Sequence, residues 1–117
     1  MKIVIPIIPE SQNKVLRMNR YERHRELQEM AALVGYFSKD RPETPYKKAQ
    51  VTITYYFPDY IRRDPDNYTG GGAKGIIDGL VQMGIIEDDS FGHIELLVRG
   101  DVDQNEPRTE IEVEEIA

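Results

Sequence analysis

Four aspartates form two short acidic segments. Asp64 and Asp66 flank Pro65, and the adjacent pair Asp88 and Asp89 follows the next predicted helix. In an extended segment, residues two apart point to the same side, and proline favours extended geometry in the residue before it. Carboxylate oxygens suit hard cations such as Mg²⁺, with Mn²⁺ as the expected substitute. The spacing therefore indicates a cation site, although a polar turn would also favour these residue types.

The two acidic segments are separated by one predicted helix, so we expect them to meet at the same end of a sheet. Their mutual repulsion would then require a cation or a nearby basic side chain. Residue chemistry alone does not choose between Asp88 and Asp89 as the third ligand.

Lys74 lies in the first turn of the predicted helix, where its charge opposes the helix dipole. This position indicates an anionic partner such as a phosphate, with a flexible surface lysine as the alternative. The preceding run Gly70–Gly72 does not make a P-loop, because Gly75 follows the lysine where Ser or Thr is required. We therefore expect no nucleotide cofactor.

Composition excludes several other kinds of site. The chain has no cysteine and two histidines, which excludes disulfides and cysteine metal centres. The net charge is −6, yet residues 1–63 carry 12 basic and 7 acidic residues, whereas residues 64–117 carry 3 and 14. A basic half could contact phosphate beside an acidic cation site, or both could be ordinary solvated surface. No apolar run approaches the roughly 20 residues of a membrane span. Without a targeting segment, we expect a cytoplasmic protein.

Hydrophobic periodicity predicts the order β-α-β-α-β-β in a single domain, residues 1–117. The class is α+β (mixed α/β), a four-stranded mixed sheet with two helices, whose strand order the sequence does not determine. The expected strands are 2–8, 50–57, 94–98 and 109–116, and the second has Val51, Ile53, Tyr55 and Phe57 on one face. The expected helices run from an Asn19 cap to 35–38 and from 73 to 83, where Gly84 is expected to end the helix, with loops at 9–18 and 59–72. Gly75 and Gly79 are expected to let a helix approach the sheet closely, with a helix contact in a dimer as the alternative.

The segment from Arg62 to Asp89 resembles the RusA-type Holliday-junction resolvases, small endonucleases common in prophages. The family pattern is a basic run, then D-x-D-N, a lysine opening a helix, an aspartate four residues on, and an aspartate pair after the helix. This chain reads Arg62-Arg63, Asp64-Pro65-Asp66-Asn67, Lys74, Asp78 and Asp88-Asp89. The loop before the lysine is longer than in the family pattern because of the triple glycine. Pro9, Ser11 and Asn13 resemble the family's N-terminal loop.

The resemblance implies a bacterial or phage-encoded, Mg²⁺-dependent endodeoxyribonuclease. Such enzymes act as homodimers and resolve four-way DNA junctions in recombination and repair by paired phosphodiester hydrolysis. The implied catalytic residues are Asp64, Asp66, Lys74 and Asp89, with Asp88 as a further metal ligand; the implied DNA contacts are Arg62, Arg63, Asn13 and Lys14. Two alternatives stay open: a non-catalytic or degenerate cation-stabilised DNA-binding module, and a phosphatase- or transferase-like enzyme using the same acidic residues.

Overall fold

The computed structural model describes residues 1–116, and in this range four strands form one mixed sheet with helices packed over one face. Ala117, the last residue of the expected domain, lies outside the described residues. The elements are β1 (Lys2–Ile5), α1 (Gln12–Arg17), α2 (Arg20–Phe37), β2 (Ala49–Phe57), a 3₁₀ turn (Pro65–Tyr68), α3 (Gly72–Gln82), β3 (Ile94–Val102) and β4 (Arg108–Glu115). Across the sheet the order is β1-β4-β2-β3, which confirms the α+β class.

The core lies between the sheet and the helix pair α2–α3. The alternation predicted in β2 is confirmed, because Val51, Ile53, Tyr55 and Phe57 are all buried. Antiparallel β4 places Ile111 beside Ile53 in the same layer. The opposite side of the sheet is open and carries mainly polar side chains.

Two predicted helix boundaries are confirmed. The Asn19 side chain caps α2 by accepting a 2.8 Å hydrogen bond from the N–H of Glu22. Gly84 follows α3 with a φ of 71°, the left-handed conformation that commonly ends a helix.

Gly75 and Gly79 lie at the contact between α3 and α2. A Cβ at Gly75 would lie 2.7 Å from Cβ of Met30, and one at Gly79 would lie 2.8 Å from Cβ of Val34. The expected packing of these glycines on the sheet, and the alternative contact in a dimer, are both wrong. They allow a close helix–helix approach within one chain.

Other boundaries differ from the expectation. The expected loop 9–18 contains α1, because the Ser11 hydroxyl caps its first turn at Lys14 and Val15 is buried. β1 ends at Ile5 rather than residue 8, since Pro6 has no N–H for a strand ladder. The expected loop 59–72 contains the 3₁₀ turn, and β3 continues to Val102.

β2 and β3 are parallel, and α3 connects them. Their register runs from Ala49 beside Ile94 to Phe57 beside Val102. The chain therefore leaves β2 at one end of the sheet and enters β3 at the other, a strand length of about 26 Å away at about 3.3 Å per residue. Within residues 1–116, no helix is both long and apolar enough to cross a membrane.

Candidate active site

An aromatic cluster supports the segment that carries Asp66. The ring of Tyr68 lies 5.4 Å from Tyr55 and 5.1 Å from Phe57 between centroids. The Tyr55 hydroxyl donates a 3.0 Å hydrogen bond to the carbonyl of Tyr68, and burial raises the pKa of Tyr55. The 3₁₀ turn is thus anchored on the core. The sequence alone did not indicate this role of Tyr68, although the alternation in β2 places the other two rings on the buried face.

Arg63 holds the loop between β2 and the 3₁₀ turn. Its guanidinium lies 4.3 Å from the centroid of Phe57 and 2.8 Å from the carboxylate of Asp59. It also donates to the carbonyls of Asp59 and Ile61, and its hydrogen bond lowers the pKa of the Asp59 carboxyl. The Arg63 side chain is only 21% exposed, whereas that of Arg62 is 89% exposed. Of the two arginines, Arg62 is the one presented to a ligand.

Asp64 and Asp66 are both exposed but have different backbone geometry. Asp64 is extended, with φ −99° and ψ 135°, as predicted for a residue before proline. Asp66 lies inside the 3₁₀ turn, so the expectation of one extended segment carrying both carboxylates is wrong. Arg62 Nε donates to Asp64 at 3.2 Å. In the part of the chain that the structure describes, Asp66 has no ion pair.

The start of α1 packs against this segment. The N–H of Asn13 donates to Oδ1 of Asn67 at 2.9 Å. A Cβ at Gly70 would lie 2.7 Å from Oε1 of Gln12, and one at Gly71, where φ is +55°, would lie 2.8 Å from Cα of Gln12. The glycine-rich loop before α3 therefore has a structural explanation: it lets α1 approach.

Two lysines lie on the helices that meet this loop. Lys74 Nζ contacts both carboxylate oxygens of Asp78, at 3.1 and 3.3 Å, and Lys14 Nζ lies 3.1 Å from Glu10. Both lysine side chains are mostly exposed. Because exposed ion pairs of this kind contribute about 1 kcal/mol or less, an anionic ligand can compete for either lysine.

Asp88 and Asp89 lie at the other end of the sheet. The N–H of Ala49, at the start of β2, donates to the carbonyl of His93 at 2.9 Å. Asp88 and Asp89 shortly precede His93, so they lie at the end of the sheet where β2 starts. Asp64 and Asp66 follow the last residue of β2, so they lie at the opposite end. Within one chain, the expected meeting of all four carboxylates at one end of the sheet is therefore wrong.

Asp88 also has local partners. Hydrogen bonds from the backbone N–H of Asp89, and then from the side chain of Ser90, lower the pKa of the Asp88 carboxyl, and nearby His93 lowers it further. Nδ1 of His93 is 3.6 Å from that carboxylate. Asp88 is engaged in its own turn, and Asp89 is exposed in the same loop.

Among residues 1–116, no three His, Cys, Asp or Glu side chains form a group that could hold a metal ion. Asp64 and Asp66 nevertheless offer oxygen ligands, the donor type that Mg²⁺ takes. This cation is usually held by one or two carboxylates together with water and substrate phosphates. The chemistry of the pair therefore suits Mg²⁺ or Mn²⁺ without completing a site made of protein alone.

Charge is distributed unevenly over the molecule. The exposed first turns of α2 carry Arg20, Arg23 and Arg25. Many acidic residues of the C-terminal half instead lie on the open face of the sheet, away from α2 and α3: Glu95, Asp101, Glu110, Glu112 and Glu114. The helix side is mixed in charge, because α2 also carries Glu22, Glu26 and Glu29.

The expected site residues fall into two groups. The carboxyl end of β2 and the adjoining helix starts carry Asn13, Lys14, Arg62, Arg63, Asp64, Asp66 and Lys74, while Asp88 and Asp89 lie at the far end. A scan of the chain against protein-family models gives no match, and a search among curated proteins gives none. No family membership follows from these two comparisons.

Proposed function

We propose that the chain is a Mg²⁺-dependent endodeoxyribonuclease that resolves four-way (Holliday) DNA junctions in recombination and repair. One observation carries the proposal: exposed Asp64 pairs with Arg62, and the turn after it, which carries exposed Asp66, contacts the start of α1 and leads into α3, the helices that carry Lys14 and Lys74. Phosphodiester hydrolysis requires both cation ligands and positive charge on the phosphate. The resemblance to RusA-type resolvases supports the choice of substrate.

In this proposal Asp64 and Asp66 hold the cation. Bound there, Mg²⁺ supplies polarisation of the phosphate, a lower pKa of the attacking water and stabilisation of the leaving oxygen. Arg62 and Lys14 bind neighbouring phosphates and position the backbone without reading bases. Lys74 exchanges Asp78 for the scissile phosphate, where its charge offsets the negative charge that develops in the transition state.

The distant position of Asp89 is explained by a homodimer. A single chain has Asp66 and Asp89 at opposite ends of the sheet, so one subunit cannot bring them to one phosphate. In a two-fold dimer, Asp89 of the partner subunit can lie at the end that carries Asp66. Two such sites would match the two-fold symmetry of a four-way junction.

The test uses a synthetic four-way junction with Mg²⁺ and with EDTA. We expect paired nicks with Mg²⁺ and none with EDTA. Asp66→Asn should lower the cleavage rate at least about 100-fold, because the cation site is lost, and should leave junction binding intact. Glu112→Gln is the matched control, since it removes an exposed carboxylate from the open face of the sheet. Cleavage by Asp66→Asn at the unaltered rate would overturn the proposal.

The second candidate is a non-catalytic junction-binding module. The carboxylates are divided between the two ends of the sheet, so a subunit that acts alone cannot bring them to one phosphate. That division favours the non-catalytic candidate. It predicts salt-sensitive junction binding with no cleavage in Mg²⁺ or Mn²⁺. Hydrolysis of free nucleotides without DNA cleavage would instead indicate a phosphatase-like enzyme.

A further inference from the structure

The first turn of α2 extends beyond the helix that packs beside it. α2 and α3 run parallel, because a Cβ at Gly75 would lie 2.8 Å from the carbonyl oxygen of Leu27 and one at Gly79 would lie 3.0 Å from that of Ala31. α3 begins three residues before Gly75, so residues 20–23 of α2 project past its start. This projecting turn follows α1 directly and lies at the end of the helix layer where the 3₁₀ turn leads into α3.

Cations occupy the start of α2 on the side that is apolar and buried further along the helix. That side carries Met30, Ala31 and Val34, which are all buried. At about 100° per residue, the same side of the first two turns presents basic side chains and one leucine. With an adjacent tyrosine these side chains line a hollow of about 560 Å³, which we call the α2 hollow. Its lining residues are Arg20, Tyr21, Arg23, His24 and Leu27.

The two arginines of the α2 hollow lie at the end of a helix that disfavours positive charge. Arg20 is the first residue of α2 and Arg23 is three residues further on, where a cation opposes the helix dipole. Among residues 1–116 neither of them has an ion pair, whereas Arg63 and Arg108 each contact a carboxylate. Arg23 donates to the carbonyl of Met18 at 3.2 Å, which orients its guanidinium. Both positions therefore indicate an anionic partner rather than a contribution to the fold.

The acidic residues of α2 lie on the other side of the helix. Glu22, Glu26 and Glu29 are about half a turn around the axis from the α2 hollow. Glu22 accepts a hydrogen bond from Nδ2 of Asn19, and Glu26 accepts one from the backbone N–H of Glu10 at 3.3 Å. Charge is thus segregated around the first turns of α2, with the cations on the side that faces α3 further along.

We infer that the α2 hollow binds the phosphate backbone of a double-stranded DNA arm that extends from the candidate site. From Arg20 to Leu27 the helix rises about 10 Å at about 1.5 Å per residue. One strand of B-DNA presents a phosphate about every 3.4 Å of its axis, so about three phosphates lie along this length. The planar donor groups of arginine suit phosphate oxygens. The choice of DNA as the partner rests on the proposed function, whereas the surface is tested without cleavage.

An anionic membrane would also attract these arginines, but the α2 hollow does not suit a membrane surface. An interfacial helix buries a continuous apolar face, rich in Trp, Phe or Leu, in the lipid. The hollow is instead a concave surface with two arginines and a histidine, and Leu27 within it is half-buried in the protein. This combination favours a charged, convex partner such as a duplex.

Fluorescence anisotropy with a short blunt DNA duplex, in EDTA and over a range of salt concentrations, tests the surface. The double variant Arg20→Gln, Arg23→Gln should weaken binding at least about tenfold and lower the salt-dependence slope by about two, the effect of two lost phosphate contacts. Lys39→Gln combined with Arg41→Gln is the matched control, because it removes the same charge from exposed positions just after the other end of α2. It should leave the slope unchanged.

Thermal denaturation of the same variants separates binding from folding. Removal of two cations from the start of a helix should leave the melting temperature unchanged or raise it, whereas arginines that stabilised the fold would lower it when removed. The double variant Arg20→Lys, Arg23→Lys retains both charges and should retain the salt-dependence slope of the wild type.

A tethered cleavage reagent locates the DNA on the surface. His24→Cys gives the chain a single cysteine, because the wild type has none. An iron chelate attached to that cysteine should cut the backbone within a duplex arm of a bound four-way junction. The same chelate on Arg41→Cys, beyond the other end of α2, should produce no such cut.

A wild-type chain that does not bind the duplex at low salt would overturn the inference, as would a salt slope that the glutamine variant leaves unchanged. Binding to vesicles that contain phosphatidylserine, without binding to the duplex, would indicate a membrane surface and would also overturn it. Duplex binding through the α2 hollow by a chain that never cuts a junction would support the inference and refute the proposed function. Junction cleavage that depends on Asp66, with duplex binding independent of both arginines, would do the reverse.

Discussion

The backbone N–H of Asn13 donates a 2.9 Å hydrogen bond to Oδ1 of Asn67, and this bond joins the start of α1 to the turn that carries Asp66. The two residues are 54 positions apart in the chain. Because Gln12 packs on the glycine-rich loop beside them, the placement of Lys14 depends on the same contact. The N-terminal segment and the acidic segment thus form one structural unit.

Asn67→Ala removes that acceptor. We expect junction cleavage to fall several-fold while the free energy of unfolding falls by about 1 kcal/mol, the usual contribution of one hydrogen bond. Asn67→Asp retains an acceptor oxygen and is the control. Thermal denaturation and single-turnover cleavage, measured on the same preparations, check the result. Unaltered cleavage in the alanine variant would separate α1 from the site.

Lys74→Met should lower the cleavage rate at least about 100-fold, as expected for loss of a charge that stabilises the transition state. The melting temperature should hardly change, because the Lys74–Asp78 pair is exposed. Asp78→Asn frees the lysine and should leave turnover at or above the wild-type rate. If both variants lower stability equally and neither alters turnover, the lysine is structural.

The two adjacent arginines should have separable effects. Arg62→Gln should weaken junction binding and lower its salt-dependence slope by about one, the effect of one lost phosphate contact, with no change in melting temperature. Arg63→Gln should lower the melting temperature, because Asp59 and Phe57 lose their partner. Binding measured over a range of salt concentrations, beside thermal denaturation, checks both. Equal salt slopes in the two variants would contradict the assignment.

Gly71→Ala should destabilise the fold by about 1–3 kcal/mol, the cost of a non-glycine residue in an unfavourable backbone region. Its φ is +55°, and the new Cβ would lie 2.8 Å from Cα of Gln12. Gly92→Ala is the matched control, because a Cβ there meets nothing within 4 Å. Chemical denaturation measures both, and equal stabilities would show that α1 does not need this glycine.

Arg108 joins Asp103, in the turn after β3, to Glu110 on the open face, with 2.7 Å contacts to both. Hydrogen bonds from the backbone N–H of Glu106 and then from Arg108 lower the pKa of the Asp103 carboxyl. Hydrogen bonds from Lys2 and then from Arg108 lower the pKa of the Glu110 carboxyl. The two carboxylates therefore stabilise the folded state at pH values above their ordinary pKa values of 3.8 and 4.5. This contribution is lost as the pH falls through their lower pKa values in the folded state.

Arg108→Met should accordingly be less stable than the wild type at neutral pH, with a difference that shrinks in acid. Urea denaturation at a series of pH values measures it. A difference that stays constant down to the lowest pH would mean that packing of Arg108 over Tyr56, 4.0 Å from its centroid, supplies the effect instead.

Elements governed by short-range signals could be predicted from the sequence. The Asn19 cap, the alternation of β2 and the stop at Gly84 depend on residues a few positions apart. The short helix α1 could not, since its six residues look like a loop and its position depends on distant Asn67 and Gly71.

The candidate site was predictable only in part for the same reason. Asp64 and Arg62 are neighbours in sequence and in space. Asp89 is separated from them by the parallel pairing of β2 and β3, a long-range choice that periodicity does not encode. The exposure of Leu96 likewise follows from the edge position of β3, which the alternation of Ile94, Leu96 and Val98 does not indicate.

The parallel crossover between β2 and β3 has a genetic consequence. If each site takes Asp66 from one subunit and Asp89 from the other, chains carrying Asp66→Asn and Asp89→Asn are each inactive alone but complement one another when mixed. Every mixed dimer then has one intact site and one that lacks both carboxylates. Such a dimer would nick one strand of a junction without resolving it, so the mixture should accumulate nicked junctions rather than separated duplexes.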